Sequence, residues 1–126
     1  MKAKFVYVGI RVKSLQKSTD FYTKVLGMKA TSEPSSIKET KGKCVALTSK
    51  GSKLILELNY YEKDSPYNTK YVVGEGLDHL AFRVDDLDRA LKEARAAGYP
   101  AIEEIKSDGS HWAYIKDPNG IWIELL

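Results

Sequence analysis

Two glutamates and a histidine stand out because each lies in or beside a short apolar run. Glu57 is flanked by two leucines, Glu124 is flanked by an isoleucine and a leucine, and His79 begins a third run. A carboxylate is costly to bury unless it is paired or bound to a cation. Two carboxylates and an imidazole suit a divalent transition metal such as zinc, nickel, manganese or iron. These residue types therefore predict a metal site, provided that the fold brings them together.

A structural explanation of the same residues stays open. An apolar run that carries one glutamate is also typical of a strand with one face in water. A histidine at the start of a strand is more often structural than a metal ligand. The two explanations differ in whether the three side chains converge, and that depends on the elements that carry them.

The chain contains two copies of one pattern. Residues 5–12 alternate as a strand, Ser14 is a good N-cap for the helix that follows, and Gly27 is suited to end it. The same features recur over residues 79–98, where the N-cap and the terminal glycine are Asp86 and Gly98. The strands and helix starts align at an offset of 72 residues and the helix ends at 71. This difference indicates a one-residue slip inside the helix.

The ends of the two halves match as well. Residues 54–58 and 120–125 are apolar strands that each carry one glutamate, at an offset of 67 residues. Two further strands are predicted in each half, at residues 28–33, 43–49, 101–106 and 112–116. Each half is thus predicted to be strand–helix–strand–strand–strand. A linker of residues 60–76 separates module 1, about residues 1–59, from module 2, about residues 77–126, within a single domain of residues 1–126.

The repeat gives a reason for the three candidate ligands to converge. Glu57 and Glu124 occupy matching places, so a pseudo-twofold axis between the halves would bring them together from opposite sides, with His79 between them. The offset of 72 maps His79 onto Tyr7, which would take the place of a fourth ligand. Because a phenol ionises only near pH 10, Tyr7 is a poor ligand when neutral. The sequence therefore predicts three ligands and an open side.

Composition and charge narrow the class of protein. With 126 residues, of which 43% are hydrophobic and 29% charged, the chain is typical of one globular domain and not of a disordered or membrane protein. A single cysteine excludes an internal disulfide, and residues 1–5 lack the features of a signal peptide, so we expect a cytoplasmic location. Residues 1–53 carry a net charge of +9 and residues 54–126 one of −6. No block of five like charges occurs, so binding to nucleic acid or to a membrane is not expected.

Four stretches of the chain resemble the vicinal oxygen chelate superfamily, and glyoxalase I in particular. These stretches are residues 10–28, 56–58, 77–81 and 117–125. The resemblance covers essentially the whole chain. It implies an α+β fold in which two βαβββ modules form an eight-stranded incomplete barrel, usually in a homodimer. It also implies a divalent metal that chelates neighbouring oxygens of a small-molecule substrate.

The resemblance also assigns roles to individual residues. The family's second, third and fourth ligand positions fall on Glu57, His79 and Glu124, and the first, commonly His, falls on Tyr7. That tyrosine argues against the two-histidine site of the extradiol dioxygenases, whereas Glu57 fits glyoxalase I. By this resemblance Glu124 moves the substrate proton, Glu57 is its pseudo-symmetric partner and Tyr7 donates a hydrogen bond to the substrate oxyanion. Arg11 matches a substrate-binding arginine that contacts the glutamyl carboxylate of glutathione.

The implied activity is that of a glyoxalase I-like metalloenzyme, a lyase or isomerase that acts on a hemithioacetal. Glutathione itself is poorly supported, because Tyr61 takes the place of an expected asparagine and Glu75 takes a place where some relatives have arginine. One alternative is a metal-free protein that sequesters a ligand between aromatic walls, as bleomycin-resistance proteins do; another is an epimerase or dioxygenase relative. His111 is expected either at the cavity mouth or in a surface loop.

Overall fold

The computed structural model describes residues 2, 6–75, 77, 79–105 and 108–126. Three predicted boundaries lie outside these residues. They are the start of the first strand at Phe5, the end of the linker at Gly76 and the end of a later strand at Lys106. The chain divides into two compact units, Met1–Tyr71 and Val72–Leu126. The strand that ends module 1 continues to Tyr61, two residues beyond the predicted boundary.

The first unit contains a five-stranded sheet and one helical segment. Its elements are β1 (Val8–Arg11), α1 (Leu15–Asp20) with a π-helical continuation (Phe21–Val25), β2 (Lys29–Ala30), β3 (Ser35–Ile37), β4 (Gly42–Thr48) and β5 (Ile55–Tyr61). The strand order is β1-β5-β4-β2, and β3 also pairs with β4. The β1 and β5 strands are parallel, and the other pairs are antiparallel.

The second unit repeats this arrangement with a four-stranded sheet. Its elements are β6 (His79–Phe82), α2 (Leu87–Ala96), β7 (Ile102–Ile105), β8 (His111–Lys116) and β9 (Trp122–Leu125). The strand order is β6-β9-β8-β7, with β6 and β9 parallel. None of the helices in the described parts of either unit is long and apolar enough to cross a membrane.

The predicted duplication is confirmed at the level of strand register. In the first unit Gly9 of β1 lies opposite Glu57 of β5, and in the second unit Ala81 of β6 lies opposite Glu124 of β9. These pairs are related by the offsets of 72 and 67 residues that the sequence pattern gave. The two glutamates therefore occupy equivalent positions in the two modules.

The first module departs from the prediction in its second strand. Residues 28–33 were expected to form one strand, but only β2 (Lys29–Ala30) lies there; β3 (Ser35–Ile37) forms in the segment that follows, so the described residues contain nine strands. Both short strands pair with β4, and two extra residues before β3 interrupt the ladder between them. Pro34 lies in this interruption. Proline has no backbone N–H to donate, so a break in the ladder is expected there.

The N-cap residues and the helix-ending glycines are the predicted ones. The one-residue difference in length between the two helical segments has a local cause. The side chains of Ser14 and Asp86 accept hydrogen bonds from backbone N–H groups three residues ahead. Gly27 and Gly98 end the helices with φ of 70° and 90°. The first helix holds its additional residue in the π-helical turn at Phe21, whose carbonyl accepts from an N–H five residues ahead at 3.3 Å.

Alternation along the strands separates an apolar core from a polar face in each unit. In β5, Leu56 and Leu58 are buried, and α1 packs against β4 and β5. In β9, Ile123 and Leu125 are buried. Because successive strand residues point to opposite faces, the glutamates between these residues lie on the other face of each sheet.

Candidate functional site

The second unit brings two of the predicted ligands together. The parallel pairing of β6 with β9 sets His79 opposite Trp122 and sets Ala81 opposite Glu124, so His79 and Glu124 share a face. His79 Nε2 lies 3.3 Å from Glu124 Oε2, and the side chains are 35% and 18% exposed. This partly buried pair is the centre of the candidate site.

Tyr114 completes the surroundings of Glu124. It lies directly opposite Glu124 across the β8–β9 ladder, and its phenol donates a hydrogen bond to Glu124 Oε1 at 3.4 Å. Its ring meets the rings of His79 and Trp122 edge to face, with centroid separations of 6.1 and 6.2 Å. Tyr114 belongs to no motif that the sequence pattern indicates. Counting residues outward from the turn at 117–120 would have found it, because that turn fixes the register of β8 against β9.

The turn at 117–120 positions β9 and therefore Glu124. Asp117 is buried, and its Oδ1 accepts hydrogen bonds from the backbone N–H groups of Asn119 and Ile121, both at 2.8 Å. Its Oδ2 accepts from the Asn119 side-chain amide at 3.0 Å. Gly120 has φ of 87°, which glycine adopts without strain. The turn predicted here is present and is held by a buried carboxylate.

A cation and an indole extend the polar face beyond His79. Lys116 lies opposite Trp122 in the β8–β9 ladder, and its Nζ sits 4.3 Å from the centre of the indole ring. Trp122 in turn lies opposite His79. Lys116, Trp122 and His79 therefore form one row across three strands, beside the row that contains Tyr114 and Glu124.

The first unit places Glu57 and Tyr7 around Gly9. A Cβ atom built on Gly9 would lie 3.2 Å from Asn59 Nδ2, 3.9 Å from Glu57 Oε1 and 4.0 Å from Tyr7 Cε2. The glycine thus leaves a small space bordered by a carboxylate, an amide and an aromatic ring. Tyr7 is 48% exposed and Glu57 is half-buried, so both are accessible from this space.

The Glu57 carboxylate differs from Glu124 in its surroundings. The residue opposite Glu57 in β4 is Ala46, which offers no hydrogen-bond donor from its side chain. The negative charge of Glu57 interacts electrostatically with the thiol of Cys44, which lies on the same strand as Ala46. The pKa of the Cys44 thiol is raised, chiefly by burial and also by this charge. Within the described residues, no hydrogen bond from another side chain reaches the Glu57 carboxylate.

The Arg11 side chain is hydrogen-bonded to the segment that follows β5. Its Nη2 donates to Asn68 Oδ1 at 3.0 Å and to the Thr69 carbonyl at 2.7 Å, and its Nη1 donates to Thr69 Oγ1 at 3.3 Å. The guanidinium also lies 5.4 Å from the centre of the Tyr71 ring, and the Tyr71 hydroxyl donates to the Arg11 carbonyl at 3.1 Å. Arg11 therefore ties residues 68–71 to β1. Its contact with substrate remains a prediction.

His111 belongs to a different cluster from the candidate site. Its Nε2 lies 3.3 Å from Glu103 Oε2, and Glu103 also pairs with Arg95 of α2. Arg95, and to a lesser degree His111, holds the pKa of Glu103 below its usual value. His111 and Tyr114 are three residues apart in β8. Because successive strand residues point to opposite faces, the His111 side chain lies on the face of the sheet opposite to Tyr114.

The donor types fit a divalent metal. Two ligands about 2.1 Å from one ion and at right angles to each other lie about 3.0 Å apart, close to the 3.3 Å between His79 Nε2 and Glu124 Oε2. Glu57 lies in the other unit, and no other side chain among the described residues hydrogen-bonds to its carboxylate. Among the described residues no three His, Cys, Asp or Glu side chains are clustered closely enough to hold a metal. Of the predicted site residues, His79 and Glu124 thus lie together in the second unit. Glu57 and Tyr7 both border Gly9 in the first unit.

Comparison with known proteins identifies the family. The profile of the Glyoxalase/Bleomycin resistance protein/Dioxygenase superfamily matches residues 4–125, so the chain belongs to this superfamily. It is 33% identical over 129 residues to the lactoylglutathione lyase of Escherichia coli, covering 98% of this chain and 91% of the relative.

Two further comparisons bear on the fold and on the length of the chain. The solved structure of the trypanothione-dependent glyoxalase I of Leishmania major has a TM-score of 0.77 and 30% identity, covering 99% of this chain and 86% of that one. The chain is also 30% identical to lactoylglutathione lyase GLX1 of Arabidopsis thaliana, but it spans only 44% of that relative's length. The α+β fold of paired βαβββ modules that the sequence predicted is therefore confirmed.

Proposed function

We propose that the protein is a metal-dependent enzyme of the glyoxalase I type, which isomerises a hemithioacetal to a thioester. The observation that carries the proposal is the pair formed by His79 and Glu124, 3.3 Å apart on the polar face of the second sheet. The equivalent register position of Glu57 in the first module supports it. The relatives named lactoylglutathione lyase support the same reaction class.

Glu57, His79 and Glu124 are the residues that would hold the metal. The ion would be zinc, nickel, manganese or iron, since carboxylate and imidazole donors suit all four. When bound, it would act as a Lewis acid on neighbouring oxygens of the substrate.

The protein's own side chains would move the proton. In the hemithioacetal, the carbon bonded to sulfur carries a hydrogen and a hydroxyl group, and the adjacent carbon is a carbonyl. Glu124 would take the proton from the first carbon and return it to the second, while the hydroxyl proton on the first carbon's oxygen passes to the oxygen of the second carbon. This leaves a thioester beside a secondary alcohol with no net change in atoms or electrons. Glu57 is the pseudo-symmetric carboxylate for the same step. The Tyr7 phenol would donate a hydrogen bond to the oxygen on which negative charge develops.

The thiol component of the substrate is open to test. The Arg11 guanidinium already donates three hydrogen bonds to Asn68 and Thr69, so a thiol carboxylate would have to share or displace these partners. We therefore propose Arg11 as a substrate contact that also anchors the segment after β5. Hemithioacetals made from methylglyoxal with glutathione and with other low-molecular-weight thiols would distinguish the acceptable thiols.

The direct test is to measure bound metal and turnover on the same preparation. The protein should be purified without a metal-affinity tag, assayed for metal, and then screened with the panel of hemithioacetals. We expect about one ion per chain and thioester formation that a chelator abolishes and added metal restores. Turnover that is unaffected by complete metal removal would contradict the proposal.

A second candidate function is the sequestration of a ligand without turnover. The aromatic residues Tyr114 and Trp122, which line the polar face beside His79, favour it because they offer flat surfaces for stacking. In that case the protein would bind its ligand equally well with and without metal, and no hemithioacetal would be converted. Equilibrium dialysis of the metal-free protein against aromatic ligands would detect such binding.

We infer that the protein forms a homodimer in a cytoplasmic setting. Val6 and Leu54 are 61% and 71% exposed at the start of the parallel pair β1–β5, and β1 is an edge strand of its sheet. Exposed apolar residues beside an edge strand favour association. Light scattering at micromolar concentration should give twice the chain mass; a monomer mass would contradict the inference.

A further inference from the structure

We propose that Tyr114 is a positioning residue for Glu124, an inference that rests on the proposed function. The phenol holds one oxygen of the carboxylate so that the other faces His79. Among the described residues, Tyr114 thereby distinguishes the two pseudo-equivalent glutamates: the Glu124 carboxylate accepts a hydrogen bond from another side chain and the Glu57 carboxylate does not. This role concerns the orientation of Glu124, and Tyr114 itself is not assigned a chemical step.

The contacts around Glu124 define the orientation. Oε1 accepts the Tyr114 hydroxyl hydrogen at 3.4 Å, and Oε2 lies 3.3 Å from His79 Nε2. With its two oxygens directed at different partners, the carboxylate cannot rotate about its last bond without losing both. The hydrogen bond is long for an O–H···O contact, but the register places Tyr114 directly opposite Glu124 and keeps the two side chains side by side.

Tyr114 itself is held by rings on two sides. Its ring meets His79 and Trp122 edge to face, with interplanar angles of 85° and 78°. Trp122 is in turn covered by the Lys116 ammonium. These contacts fix the ring independently of its hydroxyl, so removal of the hydroxyl alone should leave the packing intact.

The first module shows what the arrangement is without such a residue. Glu57 occupies the register position equivalent to Glu124, but its cross-strand neighbour is Ala46. A methyl group cannot donate a hydrogen bond, and no other side chain in the described part of the chain donates one to Glu57, so its carboxylate lacks the restraint that Tyr114 places on Glu124. The duplicated site is therefore asymmetric in this respect, and the asymmetry comes from one pair of residues.

The first experiment tests the contact in metal-free protein. The protein is labelled with tyrosine carrying ¹³C at Cζ, and the Tyr114 signal is assigned by its loss in Tyr114→Phe. We expect Glu124→Gln to move this signal, because the charged acceptor becomes neutral, and the matched variant Glu57→Gln to leave it in place. A signal that moves in neither variant, or equally in both, would overturn the proposal.

The second experiment is a double-mutant cycle read by the dissociation constant of zinc, competed against a chelator. Partners that orient a metal ligand typically contribute 10–100-fold to metal affinity, so Tyr114→Phe should weaken binding by at least about tenfold. The same change should have an effect within about twofold when Glu124 is already alanine, and its full effect when Glu57 is alanine. An equal loss in both backgrounds would overturn the proposal.

The two experiments separate this inference from the proposed function. A wild-type protein that binds no zinc, nickel or manganese contradicts the proposed function, and the ¹³C spectrum then decides independently whether Tyr114 holds Glu124. Tyr67→Phe, which removes an exposed phenol from the first unit, serves as the control for general effects of losing a hydroxyl group. It should match wild type in both experiments.

Discussion

Replacement of Asp117 by alanine should destabilise the protein by about 2–6 kcal/mol. Asp117 is 4% exposed, and one of its oxygens accepts hydrogen bonds from two buried backbone N–H groups, those of Asn119 and Ile121. A buried donor that loses its partner costs about 1–3 kcal/mol, and two donors are affected. The change also releases the Asn119 side-chain amide from Oδ2. Urea unfolding of wild type and Asp117→Ala at pH 7 measures this difference.

The chain contains a matched control for this variant. Asp108 makes the same kind of turn, since its Oδ1 accepts from the N–H of Ser110 at 2.8 Å and from the Ser110 hydroxyl, but the turn is exposed. Water replaces a lost partner at an exposed turn, so Asp108→Ala should destabilise the protein clearly less than Asp117→Ala does. Asp117→Asn keeps an acceptor oxygen and should fall between the two alanine variants. Equal destabilisation by Asp117→Ala and Asp108→Ala would refute the argument from burial.

Three further predictions follow from individual residues. Tyr7→His supplies an imidazole where the phenol is a poor ligand, so zinc affinity should rise about tenfold in a chelator competition, and an unchanged affinity would remove Tyr7 from the site. Arg11→Ala should raise KM more than it lowers kcat and should lower Tm as well; a lower Tm with unchanged kinetics would leave Arg11 a purely structural role. Because Arg95 holds the pKa of Glu103 below its usual 4.5, the pair stabilises the fold above that pH and the contribution is lost as the pH falls. Arg95→Ala should therefore flatten the acid limb of a Tm-against-pH curve, and an unchanged limb would contradict this.

The duplication could be predicted from sequence because it depends on local patterns that occur twice. The strand alternation, the N-caps and the helix-ending glycines are each set by a few neighbouring residues. The offsets between the copies then fix which residues face each other, as Gly9 with Glu57 and Ala81 with Glu124 confirm. The one-residue slip between the helices was also visible, although its form as a π-helical turn was not.

The features that escaped prediction depend on contacts between distant residues. Arg11 is bound by Asn68 and Thr69, nearly sixty positions away, and no local pattern indicates that pairing. The face on which His111 lies follows from the register of β8, which places it with Glu103 instead of near the candidate site. Convergence of Glu57 with the pair in the second unit remains a prediction for the same reason.

The measurement that tests the central claim most directly is the zinc affinity of variants in the two modules. Wild type, Glu57→Gln and His79→Ala should be titrated with zinc against a chelator, with Glu33→Gln as the control for loss of an exposed carboxylate. We predict about one ion per chain in wild type, binding at least tenfold weaker in both ligand variants, and no change in the control. If Glu57→Gln binds as tightly as wild type, the two modules do not share a metal site and the proposed function is contradicted.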